Sequence, residues 1–226
     1  MHLSVEGLGC IRGGRPVLEN IGFQLQGGKA LVVTGPNGIG KSSLLRTLAG
    51  LVRAQAGTMR LDGGDDDLTV GQQAHYFGHS DAVKPAFTCK ENLDFWQAYY
   101  GNPTRSAFEA LGEVDLEDLI DMPAAYLSAG QSRRLSVARL LVCHRPLWLL
   151  DEPTSALDIA SERKLESLMA EHLSNGGLIV AATHAPLGLL DPDRLLLDRN
   201  RTDDLVDDFS DPADSPPSTL TLETDQ

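Results

Sequence analysis

Four short segments carry side chains whose types and spacing could do chemistry. The first, Gly35-Pro36-Asn37-Gly38-Ile39-Gly40-Lys41-Ser42, fits G-x-x-x-x-G-K-[ST], in which glycines let backbone N–H groups turn inward around a phosphate. Lys41 is spaced to reach the β- and γ-phosphates of a nucleotide, and Ser42 to ligate Mg²⁺ through its hydroxyl. Far downstream, Asp151-Glu152-Pro153 sets two adjacent carboxylates after an apolar run. Asp151 suits Mg²⁺ coordination and Glu152 suits polarising an attacking water. His184 could donate a hydrogen bond to a γ-phosphate, although a lone histidine after a strand is more often structural. Finally, Leu127-Ser128-Ala129-Gly130-Gln131 sets a serine and a glycine at a helix start, where a plain N-cap and a phosphate contact look alike. Taken together, the four segments predict binding and hydrolysis of ATP with Mg²⁺.

Such groups need elements to aim them. The apolar run Ala30-Leu31-Val32-Val33-Thr34 follows Gly27-Gly28 and reads as a buried strand; Leu44, Leu45 and Leu48 then recur as a helix face that ends at Gly50. This is the strand–loop–helix context that the phosphate loop requires. Residues 147–150 and 178–182 read as two further buried strands, which puts Asp151, Glu152 and His184 at carboxyl ends, where α/β sheets place ligands. After Gln131, apolar positions recur at helical spacing through Leu141. A helix over 161–175 carries Leu165, Leu168, Met169 and Leu173 on one face and stops at Asn175-Gly176-Gly177. Residues 62–67, Asp-Gly-Gly-Asp-Asp-Asp, read as a solvated hairpin turn.

Composition narrows the setting. The 226 residues suffice for one large domain or two small ones, with an ordinary apolar share. No apolar stretch approaches the ~18 residues of a membrane span, and the N-terminus lacks a signal pattern, so the chain itself is expected in the cytoplasm. Cys10, Cys89 and Cys143 are widely spaced and form no C-x-x-C pair, which predicts reduced packing residues rather than a disulfide framework or zinc site. Much of the formal net charge of −13 lies at the end, where Asp203, Asp204, Asp207, Asp208, Asp211, Asp214, Glu223 and Asp225 face Arg201 alone. With Pro212, Pro216 and Pro217, residues 201–226 read as an acidic, disordered tail. An acidic chain disfavours nucleic acid or anionic lipid as a partner held by charge, so attachment to a membrane would need another protein.

The combination of phosphate loop, LSGGQ-type signature, D-E pair, Ser155-Ala156-Leu157-Asp158 and His184 resembles the ATP-binding-cassette ATPases over residues 1–200. The resemblance implies an α/β P-loop NTPase fold with a mostly parallel central sheet, an antiparallel N-terminal β part and a helical subdomain over about 80–140. It implies nucleotide contacts at Gly35, Pro36, Asn37, Gly38, Ile39, Gly40, Lys41, Ser42 and Ser43, with Ser42 and Asp151 at the metal. Cassettes of this family pair head to tail, so Ser128, Ala129, Gly130, Gln131 and the D-loop Asp158 would complete the site of a second copy. One copy of each motif therefore implies a homodimer, or a pair with a similar cassette. Phe87, Phe95, Trp96, Tyr99, Tyr100 and Phe108 fall in the subdomain that docks on a membrane subunit, but most of them read as its core.

Two departures stand out. Arg12 occupies the position where transport cassettes carry an aromatic that stacks on adenine. Such a stack is worth roughly 1–3 kcal/mol, part of which a guanidinium plane recovers, so weaker adenine discrimination is expected with phosphate binding retained. His79, in Tyr76-Phe77-Gly78-His79, replaces the usual glutamine near Mg²⁺ and the water; protonation would set a like charge beside the metal and lower activity in acid. Ala129 in place of the signature's first glycine should be tolerated. Gly78-His79, Lys84-Pro85, Glu91-Asn92-Leu93, Pro146-Leu147-Trp148-Leu149-Leu150 and Thr183-His184-Ala185-Pro186-Leu187 together resemble the CcmA subfamily, ATP-binding subunits of bacterial haem exporters in cytochrome c maturation. That resemblance implies a peripheral position on the cytoplasmic face of the inner membrane, membrane partners of the CcmB, CcmC and CcmD type, and an indirect link to a CcmE-type haem chaperone released by ATP hydrolysis. No C-x-x-C-H or paired axial-ligand pattern binds haem in the chain itself. The competing readings are the ATPase of another small-substrate exporter, a soluble cassette acting on ribosomes or DNA, which usually carries two cassettes or a coiled-coil insertion, and a nucleotide-independent scaffold.

Overall fold

The computed structural model describes residues 1–198; the acidic segment 201–226 lies outside the described residues. In chain order the elements are β1 (His2–Arg12), β2 (Arg15–Gln26), β3 (Ala30–Thr34), α1 (Lys41–Leu48), β4 (Ala56–Asp62), β5 (Ala74–Phe77), α2 (Cys89–Tyr100), α3 (Ala107–Gly112), α4 (Ala129–Ala138), β6 (Leu147–Asp151), α5 (Ile159–Ser174), β7 (Leu178–Ala182) and β8 (Asp193–Leu196). Three of the strands form an antiparallel sheet in the order β2-β1-β4, and five form a parallel sheet in the order β5-β6-β7-β3-β8. The chain is thus α/β, with an N-terminal antiparallel part beside a parallel sheet, as the sequence predicts.

Period-2 alternation divides the core in two. Leu31, Val33, Leu147, Leu149, Leu178 and Val180 face α1 and the antiparallel sheet, packing with Leu44, Leu45, Leu48, Leu3 and Leu25. Trp148, Leu150, Ile179 and Ala181 face the other way, toward Leu135 of α4 and Leu165, Leu168 and Met169 of α5. A strand buried on both faces must be apolar at every position, which is why β6 and β7 read as continuous hydrophobic runs. Cys10, Cys89 and Cys143 are buried free thiols, the packing role expected of them.

Two histidines lie inside this second layer. His75 is fully buried, with Nε2 2.9 Å from the Cys143 carbonyl and its ring edge-on to Tyr100 at 5.0 Å. His172 stacks on Trp148 with centroids 4.2 Å apart. Burial pushes His75 down to about 3 and His172 down to about 4, so both rings are neutral when the protein is folded.

Three helices between β5 and β6 share one start signal. Thr88, Ser106 and Ser128 each accept from the N–H three residues on, while Glu91, Glu109 and Gln131 reach back, forming three capping boxes. Two expectations need correction. Residues 62–67 are not a hairpin turn, because β4 pairs with β1 whereas β5 joins the other sheet beside β6. Buried Gln73 organises this crossover, accepting from the Asp65 N–H at 2.7 Å and donating to the carbonyls of Asp65 and Leu68. Nor are the aromatics chiefly core. Cys89, Asn92 and Leu93 form the buried stripe of α2, with Trp96 and Tyr100 packed beside it, whereas Phe95 and Tyr99, one turn apart, stack on each other outside. Tyr99 is 70% exposed and Phe108 60%, and Lys84 sits over the rings of Phe87 and Phe95.

Candidate active site

Strand register assembles the site. In the parallel sheet Ala182 lies opposite Val33 on one side and Asp151 on the other, so β3, β6 and β7 end at the same level. The chain leaves those ends as the phosphate loop, as Asp151-Glu152 and as Thr183-His184. Gly35 adopts φ 140°, where an L side chain is strained and a Cβ would run into the Leu197 carbonyl. Gly40, at φ 119°, packs against Val17 and Leu18 and opens α1, whose first residues are Lys41 and Ser42.

Lys41 is buried to within 8% of full cover, and its ammonium donates to the carbonyls of Gly35 (2.7 Å) and Pro36 (3.2 Å). It also lies 2.9 Å from His184 Nε2, which is 3.1 Å from the Asn37 side-chain oxygen. An ammonium has only donors, so toward Lys41 a neutral His184 offers Nε2 as acceptor and carries its proton on Nδ1. The Ser42 hydroxyl donates to Asp151 Oδ1 at 3.0 Å. The other Asp151 oxygen accepts from the Tyr76 hydroxyl at 3.3 Å, and Arg46 Nε donates to that same hydroxyl at 3.2 Å. Burial holds the Tyr76 phenol above its ordinary range, which keeps it a donor to Asp151. A hydroxyl and a carboxylate side by side are the hard oxygen donors that Mg²⁺ takes, alongside water and substrate phosphates.

Glu152 adopts a left-handed φ of 47° just after β6. Its N–H donates to the Ala182 carbonyl at 2.8 Å, and its carboxylate accepts from Thr183 Oγ at 3.1 Å. Thr183 is in turn fixed by the Ala185 N–H and is 2% exposed. The carboxylate is therefore oriented by β7 although it belongs to β6.

The remaining predicted residues lie elsewhere. Ser128 caps α4 by accepting from the Gln131 N–H at 3.2 Å, and Gln131 returns the bond at 2.8 Å. A serine hydroxyl has one donor besides its lone pairs, so capping leaves its O–H available. Residues 128 and 129 are exposed, Gly130 faces the Ala156 carbonyl, and among the described residues no hydrogen bond or ion pair ties 128–131 to the phosphate loop. Asp158 caps α5 by accepting from the Ser161 N–H, which holds its carboxyl below the usual range. His79 is exposed and makes no hydrogen bond among the described residues. Arg12 pairs with Arg15 across the β1–β2 turn, and both line a cavity of about 720 Å³ with Gly38, Ile39 and residues 195–198. Tyr76, Arg46 and Thr183 escaped the sequence reading; only the placement of Thr183 next to His184 at a strand end signalled it.

The family model described as ABC transporter matches residues 18–155. The chain is 54% identical over 189 residues to the cytochrome c biogenesis ATP-binding export protein CcmA of Rhodopseudomonas palustris (strain BisB5), covering 84% of this chain and 94% of that protein. It is 52% identical to the protein of the same name from Bradyrhizobium diazoefficiens, with the same coverage, and 49% identical to that of Brucella abortus (strain 2308), 88% of which is covered. Among solved structures, a putative ABC transporter ATP-binding protein from Pyrococcus furiosus shares the fold with a TM-score of 0.74 at 24% identity, covering 87% of this chain and 98% of that one. An ATP-binding subunit of an ABC transporter gives 0.77, also at 24% identity, covering 87% and 86%.

Proposed function

This chain belongs to the ABC transporter family and within it to the CcmA ATP-binding proteins, and from that premise we propose that it couples ATP hydrolysis to release of a haem-loaded chaperone in c-type cytochrome biogenesis. The chain is an ATPase. The observation that carries the catalytic reading is the convergence of Lys41, Ser42 with Asp151, Glu152 with Thr183, and His184 at three strand ends in register.

In this reading the ammonium of Lys41 exchanges its loop carbonyls for β- and γ-phosphate oxygens, while the loop and the start of α1 supply N–H donors to the same charge. Ser42 and Asp151 would hold Mg²⁺, which would supply positive charge against the phosphates; Tyr76 keeps Asp151 turned toward Ser42. Glu152, aimed by Thr183, orients the water and takes its proton as the oxygen attacks the γ-phosphorus and ADP leaves. Once Lys41 turns to phosphate, His184 can carry its proton on Nε2 and donate to the γ-phosphate. Arg12 contacts the base, and His79 would face the metal site and the water.

The signature completes a second copy. Ser128 with a free O–H, Ala129 and Asp158 are exposed, Gly130 and Gln131 are half-exposed, and Gly130 lies next to the Ala156 carbonyl, which supports a head-to-tail homodimer with two composite sites. The stacked, exposed Phe95 and Tyr99 with Phe87 support docking of the 80–140 region on membrane subunits of CcmB, CcmC and CcmD type. No helix among the described residues is long and apolar enough to cross a membrane, and we place the chain peripherally at the cytoplasmic face of the inner membrane. Co-purification from bacterial membranes of wild type beside Glu152→Gln tests the reading, with partners identified by mass and haem by absorbance. CcmB- and CcmC-like proteins, with haem-loaded chaperone accumulating on the variant, are expected. Recovery of an unrelated permease would leave the ATPase and overturn the haem role.

A further inference from the structure

The buried side of α4 carries a polar ridge that this mechanism leaves unused. Arg133, Ser136 and Arg139 recur every three residues, share one side of the helix, and are 3%, 1% and 5% exposed. All three donate to one short stretch of chain. Arg139 reaches the Tyr76 carbonyl at 2.7 Å, Arg133 Nη1 reaches the Gly78 carbonyl at 2.7 Å and Asp81 Oδ1 at 3.1 Å, and the Ser136 hydroxyl donates to the Asp81 carbonyl. These contacts bracket His79. The second terminal nitrogen of Arg133 donates to the Glu152 carbonyl at 2.9 Å, and its guanidinium lies over the Phe77 ring at 3.9 Å.

One buried guanidinium thus grips the backbone of the carboxylate-bearing residue and the segment that leads into His79. A buried ion pair is weak evidence for stability, since apolar residues of similar volume often serve as well. A rigid planar fork that spans two carbonyls from different elements is what arginine supplies and lysine does not. Glu152 needs such a hold, because its left-handed φ is unfavourable for a side-chain-bearing residue and, among the described residues, its carbonyl otherwise meets only the Ser155 N–H at 3.2 Å.

We propose that Arg133 is a positioning residue for ATP hydrolysis, which keeps Glu152 and the 76–81 segment in fixed relation to the helix capped by Ser128. The proposal rests on the reading of Glu152 as the group that activates water.

The test uses the full-length chain with its membrane partners, measuring kcat per nucleotide-binding site, KM for ATP, ATP affinity and melting temperature. Arg133→Met keeps the stem against Phe77 and removes every donor; Arg133→Lys keeps the charge beside Asp81 but cannot span both carbonyls. Misplacement of a reacting group by about 1 Å costs on the order of 100-fold, so kcat per site is expected to fall about 10- to 100-fold in Arg133→Met and less in Arg133→Lys, with KM and ATP affinity within about twofold of wild type. A purely structural role would lower the number of binding sites per chain and leave kcat per site intact, which overturns the proposal. If Arg133→Met does not fold, Arg133→Lys decides by the same quantity. Glu152→Gln assayed in parallel separates the two readings: a wild-type rate there removes the base assignment, whereas an inactive Glu152→Gln beside an unimpaired Arg133→Met removes the positioning role alone.

Discussion

The carboxyl edge of the parallel sheet and the cap of α4 are both made of polar side chains, yet they are built differently. At the sheet edge every group is held by a residue distant in sequence: Ser42 by Asp151, Glu152 by Thr183, Lys41 by His184. At the cap, the side chains of Ser128 and Gln131 hold only each other's backbone N–H among the described residues, and Ser128 is exposed. A surface that satisfies itself locally while keeping a spare donor is ready for another molecule, whereas the groups of the edge are already aimed by partners within one chain.

Predictions can break or sharpen this contrast. The largest effect is expected from Glu152→Gln, which should lower hydrolysis by about 1,000-fold while ATP binding persists and dimers accumulate on size-exclusion chromatography. Hydrolysis at the wild-type rate would remove Glu152 from the water. Next, Ser128→Ala should reduce turnover by about tenfold or more but leave ATP affinity of the single chain unchanged, at a cost of about 1 kcal/mol from the lost cap. If equilibrium binding by the monomer weakens as much as in Lys41→Ala, the two regions are not separate half-sites.

Acid should act on the layer behind the edge. His75 and His172 are held neutral when folded, at about 3 and about 4, but titrate near 6.5 when unfolded. Below pH 6.5 the unfolded chain binds protons that the folded chain refuses, so stability falls as pH falls through this window. Between pH 6.5 and 5 the loss should be about 1.5 kcal/mol per histidine, read from urea midpoints, and His75→Gln should remove one share of the pH slope. An unchanged slope would mean that His75 is protonated in the folded protein. The smallest effect belongs to Arg12→Tyr, which should raise preference for ATP over GTP by a few-fold in competition, because a ring replaces a guanidinium beside Gly38 and Ile39. Strict ATP preference in the wild type would count against a base-reading role for Arg12.

The α/β plan was legible because its signals are contiguous: β3, β6 and β7 are unbroken apolar runs, and the phosphate loop sits between a strand and a helix within one short stretch. Ser128 was legible only as two readings, and the cap geometry shows the first while leaving the hydroxyl's donor for the second. What escaped has no local signature. Tyr76 reaches Asp151 and Arg133 reaches Glu152 only after β5, α4 and β6 are packed, and no spacing announces an arginine that will be buried. Residues 62–67 have the composition of a hairpin turn, but the choice of sheet for the next strand is made by β6, far along the chain. The aromatics of α2 misled for a related reason, since hydrophobicity alone suggests burial and only the phase of the helix turns Phe95 and Tyr99 outward.

The shared alignment of Ala182 with Val33 and Asp151 makes β7 a ruler laid between the lysine and the two carboxylates. Neighbouring strands stand about 4.8 Å apart, so the span from phosphate loop to Glu152 is two strand spacings, set by backbone hydrogen bonds rather than by any loop. A single residue lost from within β7 would shift His184 and Thr183 by one rung and swap its side chains between the two buried layers, mistuning the lysine and the glutamate together.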